Sequence, residues 1–372
     1  MDRQAPGRIR DAINDFLRVH GGPATVQEIL NGVHTRLGEP ISSSSVRSYL
    51  RLNIDRSFER VVRGAYALQP VPEAKKPIRA ADYGVAHFGK AMLVEADCAE
   101  WLSLRAPHSI EAVVTDPPYG FVEYSSEEQE KLRNRKGGVW RIPPSFDGHQ
   151  RAPLPRFTTL VESDLDALGL FFLEWGRLLL PALVPGANVI VASNPLISDR
   201  VSRALTEAGL ERRGEIIRLV MTMRGGDRPK NAHKEFSDVS VMPRSMWEPW
   251  LCFRKPLDGR VQDNLRKWKT GGFRRISKER PFGDVVQSHP TRSNERKLAP
   301  HPSLKPQSFL RQLARAVLPL GEGVILDPFA GSGSTLAAAV AVGYESIGIE
   351  RDPNYVKMAR QAITPLSRLG IS

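Results

Sequence analysis

Two short segments of the chain combine residue types that can bind a planar polar ligand and a cofactor. The first is Asp116–Tyr119, which reads Asp-Pro-Pro-Tyr, and the second is Asp327–Thr335, which contains Gly331 and Gly333. The first offers a carboxylate, a proline carbonyl that is held rigidly, and an aromatic ring. The second offers a turn that a ligand can approach closely. The two segments therefore predict a pocket for a ring compound and a turn for a cofactor.

The elements around these segments can place them side by side. Each segment follows an apolar run, at 113–114 and 325–326, that is short enough to be a buried parallel strand. In an open α/β sheet, ligand and catalytic groups collect just past the carboxyl ends of the strands. We therefore expect an α/β fold in which the segments meet, although about two hundred residues separate them in the sequence.

The second segment begins a strand–turn–helix–strand unit of the kind that binds nucleosides. Ser334 and Thr335 can open a helix whose free N–H groups face a ligand. The next strand, Ser346–Glu350, ends in a carboxylate that can accept from both ribose hydroxyls. The dinucleotide fingerprint is not met, because Leu336 stands where its third glycine would be. Glycine turns are often purely structural, but the complete unit favours a nucleoside cofactor.

The two motifs, with Asp-Pro-Pro-Tyr first and Asp-Pro-Phe-Ala-Gly-Ser-Gly last, resemble those of the β-class amino-methylating DNA methyltransferases. The resemblance covers roughly residues 85–365. It implies α/β architecture with a Rossmann-like methyltransferase sheet that is mostly parallel and has a permuted motif order. It also implies an enzyme that moves a methyl group from S-adenosylmethionine to the exocyclic amine of a base flipped out of double-stranded DNA.

In this chemistry the Asp-Pro-Pro-Tyr segment activates the amine. Conjugation with the ring makes an exocyclic amine a poor nucleophile, and hydrogen bonds to two fixed acceptors free its lone pair. The acceptors would be Asp116 and the Pro117 carbonyl, in a turn completed by Pro118, with Tyr119 stacked on the base. Aspartate at the first position more often accompanies adenine N6 methylation in the family, so adenine is favoured and cytosine N4 is the alternative. The structural alternative for the motif is a rigid turn.

The resemblance also implies a set of cofactor contacts. Asp97 would hold the adenine amino group, although it can equally be a helix N-cap. The run 301–306 would contact the methionine end, with Leu304 standing where the family often has glutamine. The predicted cofactor-binding residues are Asp97, Ser303, Lys305, Asp327, Phe329, Gly331, Ser332, Gly333, Thr335 and Glu350.

Composition limits the classes of partner and site. The 372 residues carry a net charge of +12, which suggests a polyanionic partner. Cys98 and Cys252 are too few for a disulfide framework or a four-ligand zinc site, and we expect no metal ion. The sequence contains neither an apolar run as long as a membrane span nor the apolar core of a signal peptide. We therefore expect a cytoplasmic protein that binds nucleic acid and no membrane.

Much of the positive charge lies in one segment. From Arg254 to Lys297 there are thirteen Lys or Arg and five Asp or Glu, a balance of +8. We interpret residues 255–297 as a target-recognition region, the alternative being a solvated basic surface. Residues 223–230 could form a second DNA-contacting loop. The predicted DNA-binding residues are Arg266, Lys267, Lys269, Arg274, Arg275, Lys278 and Arg280.

The chain is predicted to contain two domains. Residues 1–70 have the pattern of three helices and a hairpin, which resembles a winged helix-turn-helix, with DNA binding and protein binding equally weighted as its role. Residues 71–84 read as a linker and residues 85–372 as the catalytic domain. Within the latter, residues 123–160 read as a long mobile loop.

Other functions and partners remain open at this point. An RNA or protein-amide methyltransferase carries similar motifs, but the permuted order and the basic segment argue against it. A non-catalytic DNA-binding regulator is the alternative from another class, and the intact Asp116–Tyr119 motif argues against it. The resemblance to restriction–modification enzymes also leaves open a cognate nuclease as a partner and a homodimer.

Overall fold

The computed structural model describes most of the chain as two compact units, residues 1–79 and 80–372. The described residues are 8–39, 41–52, 58–62, 64–68, 83–118, 145–146, 149–150, 162–224, 229, 232, 234–241, 243, 245–301 and 303–370. Tyr119, nearly all of the linker and nearly all of the 123–160 segment lie outside this part, as do residues 225–228 and 230 of the second predicted loop. Of the 123–160 segment, two short paired strands are described, Ser145–Phe146 and His149–Gln150.

The first unit contains the three helices and the hairpin predicted from its sequence. The Thr25 side chain accepts from the Glu28 backbone N–H, and Glu28 reaches back to Thr25, so a capping box starts the second helix. Its core includes Ile13, Ile29 and Phe58, which are buried completely. The elements are α1 (Arg8–His20), β1 (Ala24–Thr25), α2 (Val26–Leu37), α3 (Ser43–Leu52), β2 (Phe58–Val62) and β3 (Ala65–Leu68), with sheet order β1-β3-β2.

The second unit is built on a nine-stranded mixed sheet. Its strands are β4 (Gly84–Phe88), β5 (Ala91–Glu95), β6 (Ile110–Thr115), β7 (Leu183–Ala192), β8 (Glu211–Arg224), β9 (Ser245–Arg254), β10 (Val285–Ser288), β11 (Val324–Asp327) and β12 (Glu345–Glu350). They lie in the order β10-β8-β9-β7-β6-β11-β12-β5-β4. The central strands β7, β6, β11, β12 and β5 are parallel, whereas β9 is antiparallel to both of its neighbours and β4 to β5.

Helices cover both faces of this sheet. Alternate residues of β6 point to opposite sides, with Val113 in one apolar cluster and Val114 in another. The cluster around Val113 includes the long helix α5, whereas Val114 packs with α9. The helices are α4 (Cys98–Ser103), α5 (Glu162–Ala182), α6 (Ser198–Glu207), α7 (Val261–Trp268), α8 (Ser293–Leu298), α9 (Gln307–Val317), α10 (Ser334–Ala341) and α11 (Pro353–Ser367).

Three local features of the structure do not follow from the sequence pattern. Pro185 and Gly186 are residue types typical of a turn, but they lie within β7, where Gly186 adopts φ +79° and the pairing register between β6 and β7 shifts. Strand β8 was not predicted, since charged residues interrupt its apolar pattern. The basic segment from residue 255 to residue 300 contains the regular elements α7, β10 and α8.

In the part of the chain that the structure describes, no helix is both long enough and apolar enough to cross a bilayer.

Candidate active site

Four acidic residues meet at the carboxyl-end edge of the parallel strands. Asp116 follows β6, Asp327 ends β11, Glu350 ends β12, and Asp97 stands two residues after β5. These four strands are neighbours in the order β6-β11-β12-β5. The chain leaves β6 for β7 on one side, whereas β11 lies on the other, and in open α/β sheets such a reversal of strand order is where a ligand-binding crevice forms. The prediction that the two motifs meet is confirmed.

Asp116 stands at one end of a chain of four charged side chains. Its Oδ2 lies 2.8 Å from Lys305 Nζ, which lies 2.8 Å from Glu248 Oε1. Glu248 Oε2 in turn accepts from Arg218 Nη1 at 2.7 Å. Arg218 is almost completely buried and also donates to Ser288 Oγ and to the His289 carbonyl. The carboxylate of the Asp-Pro-Pro-Tyr motif is therefore fixed by an ion network that spans several elements.

The charges of this network shift one another's proton affinities. Burial raises the pKa of Asp116, and the carboxylate of Glu248 adds to that effect against the opposing charge of Lys305. Burial also acts to raise the pKa of Glu248, but Lys305 and Arg218 outweigh it and bring the value to about 2. For Lys305, burial acts to lower the pKa and the two carboxylates outweigh it, so the pKa is raised. Glu248 therefore stays ionised and Lys305 stays protonated near neutral pH.

The residues beside Asp116 tie its strand to the cofactor turn. The Thr115 hydroxyl donates to Asp327 Oδ1 at 2.7 Å, and the Phe329 backbone N–H donates to the same oxygen at 3.2 Å. Thr335 also donates to Asp327. Burial raises the pKa of Asp327 to about 6, and these hydrogen bonds oppose the shift. Asp327 thus has a structural part in holding the two motifs together.

The glycine turn has the backbone geometry that its sequence predicts. Gly331 and Gly333 have φ values of +52° and +77°, which side chains rarely adopt. A Cβ on Gly333 would lie 2.5 Å from Ile363, and one on Gly331 would lie 3.2 Å from His301 Nε2. Both positions therefore favour glycine for its conformation, and Gly333 also for space.

Glu350, at the end of the neighbouring strand β12, accepts a hydrogen bond from the backbone of the glycine turn. Its Oε2 accepts from the Gly331 N–H and its Oε1 from the Asp352 N–H, both at 2.8 Å. Burial raises the pKa of Glu350, and these backbone donors oppose the shift. A carboxylate oxygen has more than one lone pair, so both oxygens keep acceptor capacity for a ligand.

Asp97 serves as the N-cap that its sequence position allows. Its Oδ1 accepts from the Ala99 N–H at 2.9 Å, and its Oδ2 lies 3.7 Å from Arg351 Nη1. Capping occupies one oxygen, so it does not prevent the other from accepting from a ligand. A contact between Asp97 and a cofactor stays a prediction.

The other predicted cofactor residues lie around the same turn. Phe329 is half-buried, with its ring centroid 5.7 Å from that of Trp175. Ser332 and Thr335 are buried, and the Ser303 backbone N–H donates to His301 Nδ1 at 3.2 Å. His301 packs edge-on against Tyr355, and burial, helped by the charge of Lys305, lowers its pKa to about 4. The imidazole beside the turn is therefore neutral.

The predicted DNA-binding cations lie elsewhere in this unit. The Arg274 guanidinium donates to the Tyr344 hydroxyl, just before β12 begins, and its backbone N–H donates to the Ala316 carbonyl near the end of α9. The Trp268 ring packs edge-on against His108, just before β6 begins. The six residues of β6 span about 20 Å between the two edges of the sheet. These contacts place the 266–280 segment at the amino-end edge, away from Asp116.

Several of these cations are engaged in local structure. Arg266 pairs with Asp263 at 3.1 Å, and Lys267 pairs with Asp258 at 2.6 Å. Arg275 donates to three carbonyls of its own loop, at 277, 278 and 279. The position of the segment argues against the expectation that it reads bases beside a flipped one. The part of the basic region that reaches the carboxyl-end edge begins at Ser288, which contacts Arg218.

Sequence reasoning missed Glu248 and Arg218. Both lie within strands, and each is the residue directly opposite the other in the β8–β9 ladder. The available signal was a carboxylate inside the otherwise apolar run 246–253, because a buried charge requires a partner.

Within the described residues, no group of three His, Cys, Asp or Glu is arranged to hold a metal ion.

Most of the catalytic unit matches the model of a known protein family. A family model described as DNA methylase, of the N6 and N4 type, matches residues 110–361. The type II methyltransferase M2.DpnII of Streptococcus pneumoniae is 25% identical over 274 residues, which are 74% of this chain and 90% of that protein. The DNA adenine methyltransferase YhdJ of Escherichia coli strain K12 is 45% identical over 58 residues, 16% of this chain and 19% of that protein.

A solved structure of the PvuII DNA methyltransferase, which is cytosine-N4-specific, is 15% identical to this chain. The match covers 76% of this chain and 88% of the PvuII methyltransferase chain, with a TM-score of 0.46. The family match spans more than half of the chain and includes both motifs. The chain thus belongs to the N6 and N4 DNA methylase family, and it is an S-adenosylmethionine-dependent DNA methyltransferase.

Proposed function

We propose that this enzyme methylates the N6 amine of adenine in double-stranded DNA and that Asp116 is the acceptor that activates the amine. The observation that carries the proposal is the Asp116 carboxylate, fixed by Lys305 beside the glycine turn at the carboxyl-end edge. Aspartate as the first residue of the motif and the local similarity to an adenine methyltransferase support adenine over cytosine.

The residues around the glycine turn fit the cofactor. S-adenosylmethionine supplies an electrophilic methyl group on a sulfonium when it is bound. Glu350 offers carboxylate oxygens at the place where ribose hydroxyls need acceptors, and Phe329 offers an aromatic wall. The neutral imidazole of His301 adds no positive charge beside the turn. Asp97 and Ser303 stand as further contacts at the two ends of the site.

Asp116 and Pro117 would hold the target amine between two acceptors. Pro117 is buried and has no N–H, so its carbonyl direction is fixed by the turn. Hydrogen bonds from the two N–H groups of the amine to these acceptors bend the nitrogen towards tetrahedral geometry, and its lone pair then points at the methyl group. Positioning of this kind supplies much of the acceleration in a transfer between two bound partners. Lys305 keeps Asp116 in place while the amine binds.

We also propose which parts of the protein contact DNA. We infer that DNA approaches the carboxyl-end edge, since the flipped base must reach Asp116. The module 1–70 would add affinity as a winged helix-turn-helix, with protein binding as its alternative role. A role for Arg266, Lys267, Lys269, Arg274, Arg275, Lys278 and Arg280 in DNA binding would require DNA to extend to the amino-end edge. Salt-dependent binding of chains with and without residues 1–78 tests the contribution of the module.

The reaction is tested by transfer of labelled methyl groups. Full-length protein is incubated with tritiated S-adenosylmethionine and duplex DNA, and the digested DNA is examined by mass spectrometry. N6-methyladenine is the expected product. N4-methylcytosine as the sole product would make the cytosine alternative correct, and label in RNA but not in DNA would overturn the DNA substrate.

A cognate nuclease and a homodimer are further proposals that the family suggests. Light scattering of the purified chain, alone and with DNA, tests the homodimer. Co-purification from the native cell with a nuclease that cuts the unmethylated sequence tests the nuclease.

A further inference from the structure

We propose that Glu248 and Arg218 are positioning residues for methyl transfer, because Glu248 shares the Lys305 ammonium with Asp116 and thereby sets the direction and acceptor strength of the Asp116 carboxylate. The proposal rests on the acceptor role proposed for Asp116. Neither residue belongs to the Asp-Pro-Pro-Tyr segment or to the cofactor turn.

The geometry places Lys305 between two carboxylates at equal distance. Its Nζ lies 2.8 Å from Asp116 Oδ2 and 2.8 Å from Glu248 Oε1. Lys305 and both carboxylates are largely shielded from solvent, with side-chain exposures of 14%, 22% and 21%. Electrostatic interactions are stronger in such surroundings than at an exposed surface, so the second carboxylate alters how tightly Lys305 holds the first.

Arg218 fixes Glu248 from the opposite side. It donates to Glu248 Oε2 at 2.7 Å, to Ser288 Oγ at 3.0 Å and to the His289 carbonyl at 3.1 Å. Its guanidinium also lies 5.3 Å from the centroid of the Phe309 ring. The carboxylate of Glu248 is therefore anchored to β10 and α9 as well as to its own strand, and Lys305 meets a rigid partner.

The network has no net charge when all four groups are ionised. A change in the charge of one member therefore alters the electrostatic interactions of Asp116. The charged groups that influence this carboxylate come from four directions: Lys305 before α9, Glu248 on β9, Arg218 on β8 and Asp327 at the end of β11. Replacing Glu248 by a neutral amide leaves Lys305 with Asp116 as its remaining carboxylate partner in this network. Lys305 then holds Asp116 more tightly, and Asp116 becomes a weaker acceptor and a stronger acid.

The same pair of strands contains a matched control. Glu211 and Arg254 are also directly opposite in the β8–β9 ladder, and their guanidinium–carboxylate contact is 2.6 Å. This pair lies at the amino-end edge, seven positions along β8 from Arg218. Replacing Glu211 removes one carboxylate and one cross-strand ion pair without touching Lys305 or Asp116.

The experiment compares Glu248→Gln with Glu211→Gln in the full chain. For each variant, kcat and the KM for S-adenosylmethionine are measured on duplex DNA across pH, beside the wild type, with thermal melts to confirm folding. We expect Glu248→Gln to lower kcat by about tenfold or more and to move the acid limb of the kcat profile to lower pH. Glu211→Gln is expected to keep the wild-type kcat and acid limb.

A second variant separates charge from packing. Glu248→Asp keeps the negative charge, so it should keep the acid limb near its wild-type position even where kcat falls. Equal effects of Glu248→Gln and Glu211→Gln on kcat, or an acid limb that does not move in Glu248→Gln, would overturn the inference. Failure of Glu248→Gln to fold, with Glu248→Asp folded and its acid limb displaced, would also overturn it. A wild type that transfers no methyl group to DNA would instead overturn the proposed function.

Discussion

The two ends of the β8–β9 ladder carry the same kind of ion pair in different settings. At the amino-end edge, Arg254 binds Glu211 and the Gly271 carbonyl, so the pair helps to hold a loop. At the carboxyl-end edge, the Arg218–Glu248 pair continues through Lys305 to Asp116. Both pairs join an arginine to a glutamate. They differ in the further group that the pair contacts, which is a loop carbonyl at the amino-end edge and Lys305 at the carboxyl-end edge.

The difference extends to the two edges of the whole sheet. At the amino-end edge, the amides of Asn188 and Asn264 donate to backbone carbonyls at 272 and 185, and Thr270 donates to the same carbonyl at 185. These polar groups close loops onto the scaffold. At the carboxyl-end edge, carboxylates of three neighbouring strands keep acceptor capacity beside the crevice. An edge with satisfied amides is a scaffold, whereas an edge with fixed carboxylates can bind and activate a ligand.

The largest effect is expected from Asp116→Ala. Removing the acceptor should lower the rate of methyl transfer by about a thousandfold, because the contact strengthens in the transition state. Binding of S-adenosylmethionine should be retained, which calorimetry can measure in the same preparation. A variant with near wild-type turnover would remove Asp116 from the mechanism.

The second prediction concerns Asp327, the carboxyl that ties the two motifs together. Its pKa is raised from 3.8 to about 6, so the folded chain keeps this proton where the unfolded chain has lost it. The contribution of Asp327 to the free energy of unfolding therefore falls as pH rises through that window. Asparagine cannot titrate, so the stability of Asp327→Asn relative to wild type should rise by about 2 kcal/mol between pH 4 and pH 6.

Chemical denaturation at several pH values measures this difference. A constant offset between the two proteins is compatible with the account, since asparagine presents different hydrogen-bonding groups to Thr115 and Thr335. A stability difference that does not change with pH would show that Asp327 is not the buried, titrating group.

A smaller effect is expected from Glu350→Ala. Loss of the ribose acceptor should weaken S-adenosylmethionine binding by about tenfold, or about 1.4 kcal/mol. Because Glu350 also accepts from the Gly331 N–H, Glu350→Gln is the matched variant that keeps an acceptor without the charge. Isothermal calorimetry should rank affinity as wild type, then glutamine, then alanine. Unchanged affinity in a folded alanine variant would remove the ribose role.

The smallest effect is expected at the amino-end edge. Lys278 and Arg280 are exposed there, and replacing both by Ala should change the rate of methyl transfer by less than about twofold. Methylation of one oligonucleotide at a fixed salt concentration measures the rate. A much larger loss of rate on this oligonucleotide would support the interpretation of this segment as the target-recognition region.

The sequence was sufficient to predict the parts of the site that are local. Each motif acid follows an apolar run, and neighbouring parallel strands must end at one edge, so the meeting of Asp116 with the glycine turn followed from pattern alone. Glu248 and Arg218 could not be found in this way, because their contact depends on the register between two strands that are separated by a long loop. A shift of the β8–β9 pairing register by one residue would place the two side chains on opposite faces of the sheet.

The location of residues 255–280 depended on the direction of one strand. Because β9 runs antiparallel to β7, the chain emerges from it at the amino-end edge, and the basic residues that follow are carried away from Asp116. An apolar run such as 246–253 favours a strand but does not fix its direction. That direction decides which edge each following residue can reach.

Amide hydrogen exchange on the full chain tests the distinction between the two edges most directly. Exchange is compared for the free protein and for the protein with S-adenosylhomocysteine and a duplex that it methylates. Our expectation is slower exchange in 114–118, 288–300 and 327–333, at the carboxyl-end edge, and unchanged exchange in 183–187 and 268–280, at the amino-end edge. Protection of the amino-end segments with none at 114–118 or 327–333 would contradict it.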